Sequence, residues 1–511
     1  MSTNVCIMIS ICAYLLLVLG IGVWFSNKNK TTDDFYLGGR KLGPFVTAMS
    51  AEASDMSSYL LMGVPGLALF AGIAEASWTA IGLSIGTYLN WLIVAKKLRR
   101  YSERIGANTI PAFFSERYKD KSRALSVIAA VVIIIFFIPY TASGFAACGK
   151  LFNSLFGVDY MMAMIICAAI IILYTMLGGF LAASTTDFVQ SIVMTVALVV
   201  VLFYGITHAG GWNAVIENAK SLPGYLTLNN IYIAETNSSS QFSSFAICST
   251  LAWGLGYFGM PHILLRFMAI EDTRKLTLSR RVASIWVVIS LGVAVLIGVV
   301  GNGMIHAGVM DGFKTAASAE TVIVEISKLI SRHGVLAALV AGVILAGILA
   351  ATMSTADSQL LAASSSVSQN IVKEKLFPNM EEKTTMFIAR LTLVAIAIIA
   401  VFLARNPESN VFKIVSFAWA GFGAAFGPVM LFSLFWKRTT KWGAFAGMVV
   451  GGVMVFVWKY VIATMGGVLA IYELLPAFIF GCIAIVIVSL VTPEPEKEII
   501  DDFEAVKMMK D

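Results

Sequence analysis

About thirteen apolar segments of some 20 residues each follow one another along this chain, with polar loops between them. A helix needs roughly 20 apolar residues to cross a bilayer core. Inside that core each backbone amide and carbonyl must find its partner within the protein, which leaves helices and closed barrels as the only spanning forms. Charge agrees with hydropathy: Asp, Glu, Lys and Arg make up 13% of 511 residues and hydrophobic residues 58%, about half the charge of a soluble chain. The expected fold class is therefore an all-α polytopic membrane protein with about 13 transmembrane helices. No basic residue precedes the first apolar run and no small-residue cleavage site follows it, so it reads as a first span and not as a removed signal peptide.

The net charge of +6 is no sign of nucleic acid, because its basic residues sit in short loops, where they report orientation. With the N-terminus outside, loops on the cytoplasmic side hold 26 Lys and Arg against 6 outside. That bias places both termini, N-terminus out and C-terminus in, and requires an odd number of spans. The six cysteines (6, 12, 148, 167, 248, 482) fall in or beside apolar segments and read as buried free thiols. The four histidines show no ligand spacing, so no transition metal is expected. The chain divides into a first span and loop (1–43), spans 2–6 (44–206), an outer loop (207–241), spans 7–11 (242–436), spans 12–13 (437–491) and a charged tail (492–511). In the loop at 307–333, Val322, Ile326, Leu329 and Ile330 share one helical face, which predicts an amphipathic helix lying over the bundle.

Two spans depart from plain apolar character. Span 2 carries Glu52, Asp55 and Ser54, Ser57 and Ser58, then Gly63, Pro65 and Gly66. Span 7 carries Trp253, Gly254, Gly256, Tyr257, Gly259 and Pro261. A carboxylate at membrane depth costs at least about 2.5 kcal/mol and normally faces the bundle interior with a task. Glycine and proline free backbone groups, which are tolerated where they line a cavity. A kinked packing helix with a snorkelling carboxylate is the plainer explanation of either span alone. The two spans lie five apart and so run in opposite directions, which points to an inverted five-plus-five repeat with ligands bound where the broken helices meet. An alkali cation takes oxygen ligands. Carbonyls around Ala53 and Met56 offer them, with Ser354 and Thr355 of span 9 and the Asp55 carboxylate. A Ser-Thr pair in a membrane helix also commonly bonds back to the carbonyl four residues earlier. Trp253 and Tyr257 are one turn apart and share a face. Such a face can hold an ammonium group, or simply pack.

At matching spacing over nearly the whole chain, the residues resemble the sodium/solute symporter family, and most closely its sodium/proline branch. The resemblance rests on Ala53-Ser54-Asp55-Met56-Ser57, Leu60 to Gly63, Pro65-Gly66, Trp253 to His262 and Met353 to Leu361. Tyr174-Thr175, Gly178-Gly179-Phe180 and Ala182 match one general family pattern, and Arg438, Gly443-Ala444 and Gly447 another. It implies a LeuT-like five-plus-five inverted repeat. It also implies a sodium site at the Ala53, Met56 and Ala351 carbonyls and the Ser354 and Thr355 hydroxyls, with Asp55 important for coupling. Ser57, Tyr140, Trp253, Tyr257 and Pro261 match the substrate pocket, and Asp187 a position tied to gating or the ion pathway. Met260 departs from the pattern, where glutamine is expected, and Asp357 differs from some members.

The resulting expectation is a secondary transporter that couples sodium influx to L-proline uptake by alternating access in the cell membrane. Na+ would be the coupling ion, with no cofactor, no nucleic acid and no obligate protein partner besides the lipid bilayer. A relative carrying another amino acid, a vitamin or a sugar is the near alternative. A solute sensor would need an output domain, and the tail after Pro493 is too short for one. A channel would share its pore among subunits, against the internal repeat. No acid–base or nucleophilic constellation suggests an enzyme, and no nucleotide loop suggests ATP drive.

Overall fold

The computed structural model describes residues 2–26 and 32–509. Lys28, Lys30 and Lys510, counted above among the cytoplasmic basic residues, lie outside these. Among the described residues, ten helices are long and apolar enough to cross a membrane. The Tyr160–His208 helix has 49 residues. At about 1.5 Å per residue, a straight rod of that length would overrun a bilayer twofold. It bends at Gly179 (φ 61°, ψ −164°), a backbone conformation open in practice only to glycine, and so forms two helices. Val335–Ser365 is the central element, with residues 344–365 all buried. It packs against Thr3–Ser26, Pro44–Ser58, Ala124–Phe156 and Tyr160–His208.

Two passes are assembled from pieces. The first runs Pro44–Ser58, a π-helical turn Tyr59–Gly63, and Val64–Ala71. Its break falls at Ser57 (φ 45°, ψ −170°), ahead of the Gly63–Gly66 cluster that the sequence singles out. Pro65 instead occupies the first turn of Val64–Ala71, where its missing amide costs nothing. The second runs Ser244–Leu251, a 3-10 segment Ala252–Gly259, and Pro261–Ala269. Its glycines admit close backbone contact: a Cβ on Gly86 of the Ile73–Leu89 helix would stand 2.3 Å from the Gly254 Cα. The passes are clipped together where the Leu42 amide donates to the Ala269 carbonyl (3.1 Å) and the Glu271 amide to the Leu42 carbonyl (3.0 Å).

Shorter elements cover the bundle. The stretch 207–241, which sequence alone leaves as a loop, holds the helix Trp212–Ser221 and an antiparallel hairpin of Asn230–Ile233 with Ser238–Gln241. The amphipathic helix is Val322–Ser331, with Val322, Ile326 and Ile330 buried and Leu329 half-buried. Tail residues Lys497–Met508 form a helix that buries Ile499, Phe503 and Val506. Its acids meet the basic loops: Asp502 with Arg104 (2.8 Å), Glu498 with Lys119 (2.9 Å) and Glu504 with Lys437 (3.4 Å). All six cysteines are free; Cys12 and Cys248 are exposed and Cys482 is half-buried, so only Cys6, Cys148 and Cys167 are buried as expected.

Candidate functional site

The break at Ser57 is the origin of the site. A residue outside the helical basin turns the following amides away from the carbonyls of the preceding turn, as at any helix end. Ala53, Met56 and Ser57 are buried there. The Ser354 hydroxyl reaches across from Val335–Ser365 and donates to the Ala53 carbonyl at 2.8 Å, and lies 3.1 Å from the Ala351 carbonyl. Thr355 bonds back to the Ala351 carbonyl at 3.2 Å, as a packing hydroxyl does. Ala53, Ala351, Ser354 and Thr355 thus meet in one dry oxygen cluster. Met56 sits on the same turn, and its carbonyl accepts the Tyr59 amide.

Asp55 does not face that cluster. Its carboxylate accepts the Tyr257 hydroxyl at 2.5 Å, and its carbonyl accepts the Tyr140 hydroxyl at 3.1 Å. The structure joins Asp55, expected among the sodium ligands, to Tyr257 and Tyr140, two residues expected in the substrate pocket. Successive residues on a helix point apart, so Ala53 and Asp55 address two sides of one break. Ser57, Tyr140 and Thr355 line a narrow polar crevice with Thr141 and Gln359, beside both groups.

Trp253 lies in an aromatic box. Its ring stacks on Tyr59 (5.6 Å between centroids) and Tyr472 (5.3 Å), and leans on Phe412 (5.5 Å). The Trp419 indole donates to the Trp253 carbonyl at 2.7 Å and meets the Tyr257 ring edge-on. Sequence reasoning missed Tyr59, Phe412, Trp419 and Tyr472, since nothing in the local pattern brings these segments together. Pro261 opens the following helix and is buried beside Met260.

Asp187 belongs to a second buried polar cluster. It pairs with Arg266 (3.0 Å), and both are completely shielded from solvent. Arg266 also donates to the Ser50 and Ser358 hydroxyls (3.0 and 2.6 Å) and the His262 carbonyl (2.9 Å). Ser50 donates to Asp187 (2.6 Å) and Ser358 to Asp357 (3.0 Å). Arg266 was legible as a charge within span 7, which marks a functional position, but its partner was not. Glu52, also buried, accepts Thr87 and Trp91 at 2.9 Å each. Glu52, Asp55, Asp187 and Asp357 thus lie buried with the single guanidinium of Arg266 among them. An excess of acid over base in a dry interior suits a bound cation.

Residues 35–451 match the model of the sodium:solute symporter family. A sodium/proline symporter of Escherichia coli is 41% identical over 498 residues, covering 97% of this chain and 95% of that one. An osmoregulated proline transporter of Bacillus subtilis is 42% identical over 494 residues, covering 96% of each. Among solved structures, a Na+-coupled sialic acid symporter in a substrate-bound outward-open state superposes with TM-score 0.79 at 18% identity, over 96% of this chain and 99% of that chain. MhsT in complex with L-phenylalanine superposes with TM-score 0.56 at 13% identity, over 88% of this chain and 98% of that chain. At these identities the structures establish the fold, that of the LeuT-type transporters.

Proposed function

This chain belongs to the sodium:solute symporter family, and from that premise we propose that it is a multi-pass membrane carrier coupling sodium entry to L-proline uptake. Full-length relatives at about 40% identity are named for proline transport, which supports this substrate over another amino acid, a vitamin or a sugar.

One observation carries the mechanism: the Ser354 hydroxyl touches carbonyls of two different passes, Ala53 and Ala351. Sodium replaces that hydrogen bond. The hydroxyl turns its lone pair inward, and the Ala53, Met56 and Ala351 carbonyls with Ser354 and Thr355 surround the ion. Binding ties Val335–Ser365 to the first broken pass and fixes the turn that carries Asp55. Asp55 in turn orients Tyr257, and proline binds between Tyr257, Tyr140, Ser57, Trp253 and Pro261. Each ligand thereby raises affinity for the other by the same factor. Asp187 and Arg266 close the cytoplasmic route, and their separation accompanies release. The broken passes open two inverted repeats, residues 44–206 and 242–436, with 1–43 and 437–511 outside them.

The test is uptake of labelled L-proline into proteoliposomes with and without an inward sodium gradient, for the wild type and Asp55→Asn. Accumulation driven by sodium and abolished by Asp55→Asn is expected. Uptake indifferent to sodium sinks the coupling. Absent proline uptake, with sodium still protecting a cysteine placed near Ser354 from labelling, sinks the substrate alone.

A further inference from the structure

Two of the four histidines, far apart in sequence, meet on one surface. His208 ends the Tyr160–His208 helix and His333 precedes Val335–Ser365. Their ring centroids lie 5.5 Å apart at an interplanar angle of 52°. Tyr204 organises both: its ring stacks on His208 at 3.8 Å, and its hydroxyl lies 3.1 Å from His333 Nε2.

A hydrogen bond to a carbonyl fixes the tautomer of His208. His208 Nδ1 lies 2.9 Å from the Tyr204 carbonyl. A carbonyl only accepts, so Nδ1 carries the proton and Nε2 the lone pair. This backbone-anchored imidazole is the usual state of a metal-ligating histidine. When His333 Nε2–H donates to the Tyr204 phenol, His333 Nδ1 carries its own lone pair. Distance agrees as well. With metal–nitrogen bonds of about 2.0–2.1 Å, two imidazoles on one tetrahedral ion place their centroids roughly 5 Å apart. Both histidines are at least partly open to solvent, so water can fill the remaining positions. Arg332, beside His333, is exposed, and its charge is screened by solvent.

We propose that His208 and His333 form a binding site for a divalent transition-metal ion, of the class Zn2+, Ni2+ or Cu2+, held by two imidazoles and water. The site joins the end of one core helix to the start of another. It is separate from the sodium cluster and does not depend on which solute is carried.

The experiment is calorimetric titration of the full-length protein in nanodiscs with Zn2+ at pH 7.5, for the wild type, His208→Ala, His333→Ala and His306→Ala. One equivalent is expected, weakened at least tenfold in either of the first two variants and unchanged in His306→Ala. Zn2+ also raises the melting temperature of the wild type and leaves that of both site variants where it was. Zn2+ binding equal in His333→Ala and the wild type overturns the proposal, as does a loss common to all three variants.

Discussion

Ser354 shows how much a single hydroxyl can hold, because it touches carbonyls from two passes. Ser354→Ala is expected to fold, losing about 1 kcal/mol, and to raise the sodium concentration for half-maximal proline uptake by about tenfold. Unaltered sodium dependence in proteoliposomes would remove Ser354 from the ligand set. Tyr257→Phe keeps the ring against Trp419 and deletes only the bond to Asp55. Equilibrium binding of labelled proline should weaken with little change in melting temperature; undiminished binding separates Asp55 from the pocket. Asp120, in the turn before Ala124–Phe156, tests electrostatics outside the membrane-spanning segments. Burial alone would raise its carboxyl, but the Ser122 hydroxyl, the Leu125 amide and the Lys441 ammonium outweigh this and hold it below the ordinary range. Its folded value is depressed, so its stabilisation is present above the unfolded value of about 3.9 and is lost as pH falls through the folded value. Asp120→Asn should therefore destabilise by about 1–2 kcal/mol at neutral pH. The gap from the wild type should narrow only in strongly acidic buffer; a gap independent of pH would exclude an ionised Asp120 as its source.

Among elements, the second broken pass depends on closeness. The Ile73–Leu89 helix lies against its backbone at Gly82, Gly86 and Gly254, where an added Cβ would meet main-chain atoms. Main chain cannot rotate aside as a side chain does, so Gly86→Ala should cost about 3 kcal/mol. Thermal size-exclusion traces give the readout, and a melting temperature within a degree of the wild type would show that the helix can shift. The helix Lys497–Met508 behaves as a strap across the basic loops. Its ion pairs are exposed and individually weak, while Ile499, Phe503 and Val506 supply apolar burial. Deleting residues 497–511 should lower stability by about 2 kcal/mol and leave sodium-driven uptake intact. Part of that difference should vanish in high salt, where the ion pairs are screened.

For the whole molecule, hydropathy made the membrane bundle legible, because the bilayer allows so few solutions. The broken passes were legible for the same reason, since Gly63, Pro65, Gly254 and Pro261 are local signals. The exact break was not: the bend at Ser57 has no glycine, and it is imposed by the packing around it. Nor was the aromatic box, whose members Tyr59, Trp253, Phe412 and Tyr472 come from four regions of the chain. Asp187 stood out through the family resemblance alone and Arg266 was not singled out, because their pairing exists only in three dimensions. The basic-residue bias predicts an N-terminus outside, so an epitope there should be reached on intact cells and one after Met508 should not; the reverse pattern would invert the topology. The oxygen cluster has one more consequence. In the proposed sodium site Ala53, Met56 and Ala351 would contribute main-chain atoms, which every amino acid possesses. Substitution scanning can delete the hydroxyl half of such a site and is blind to the rest. Genetic drift can rewrite those three side chains while the chemistry they frame is inherited unchanged, through the shape of the chain.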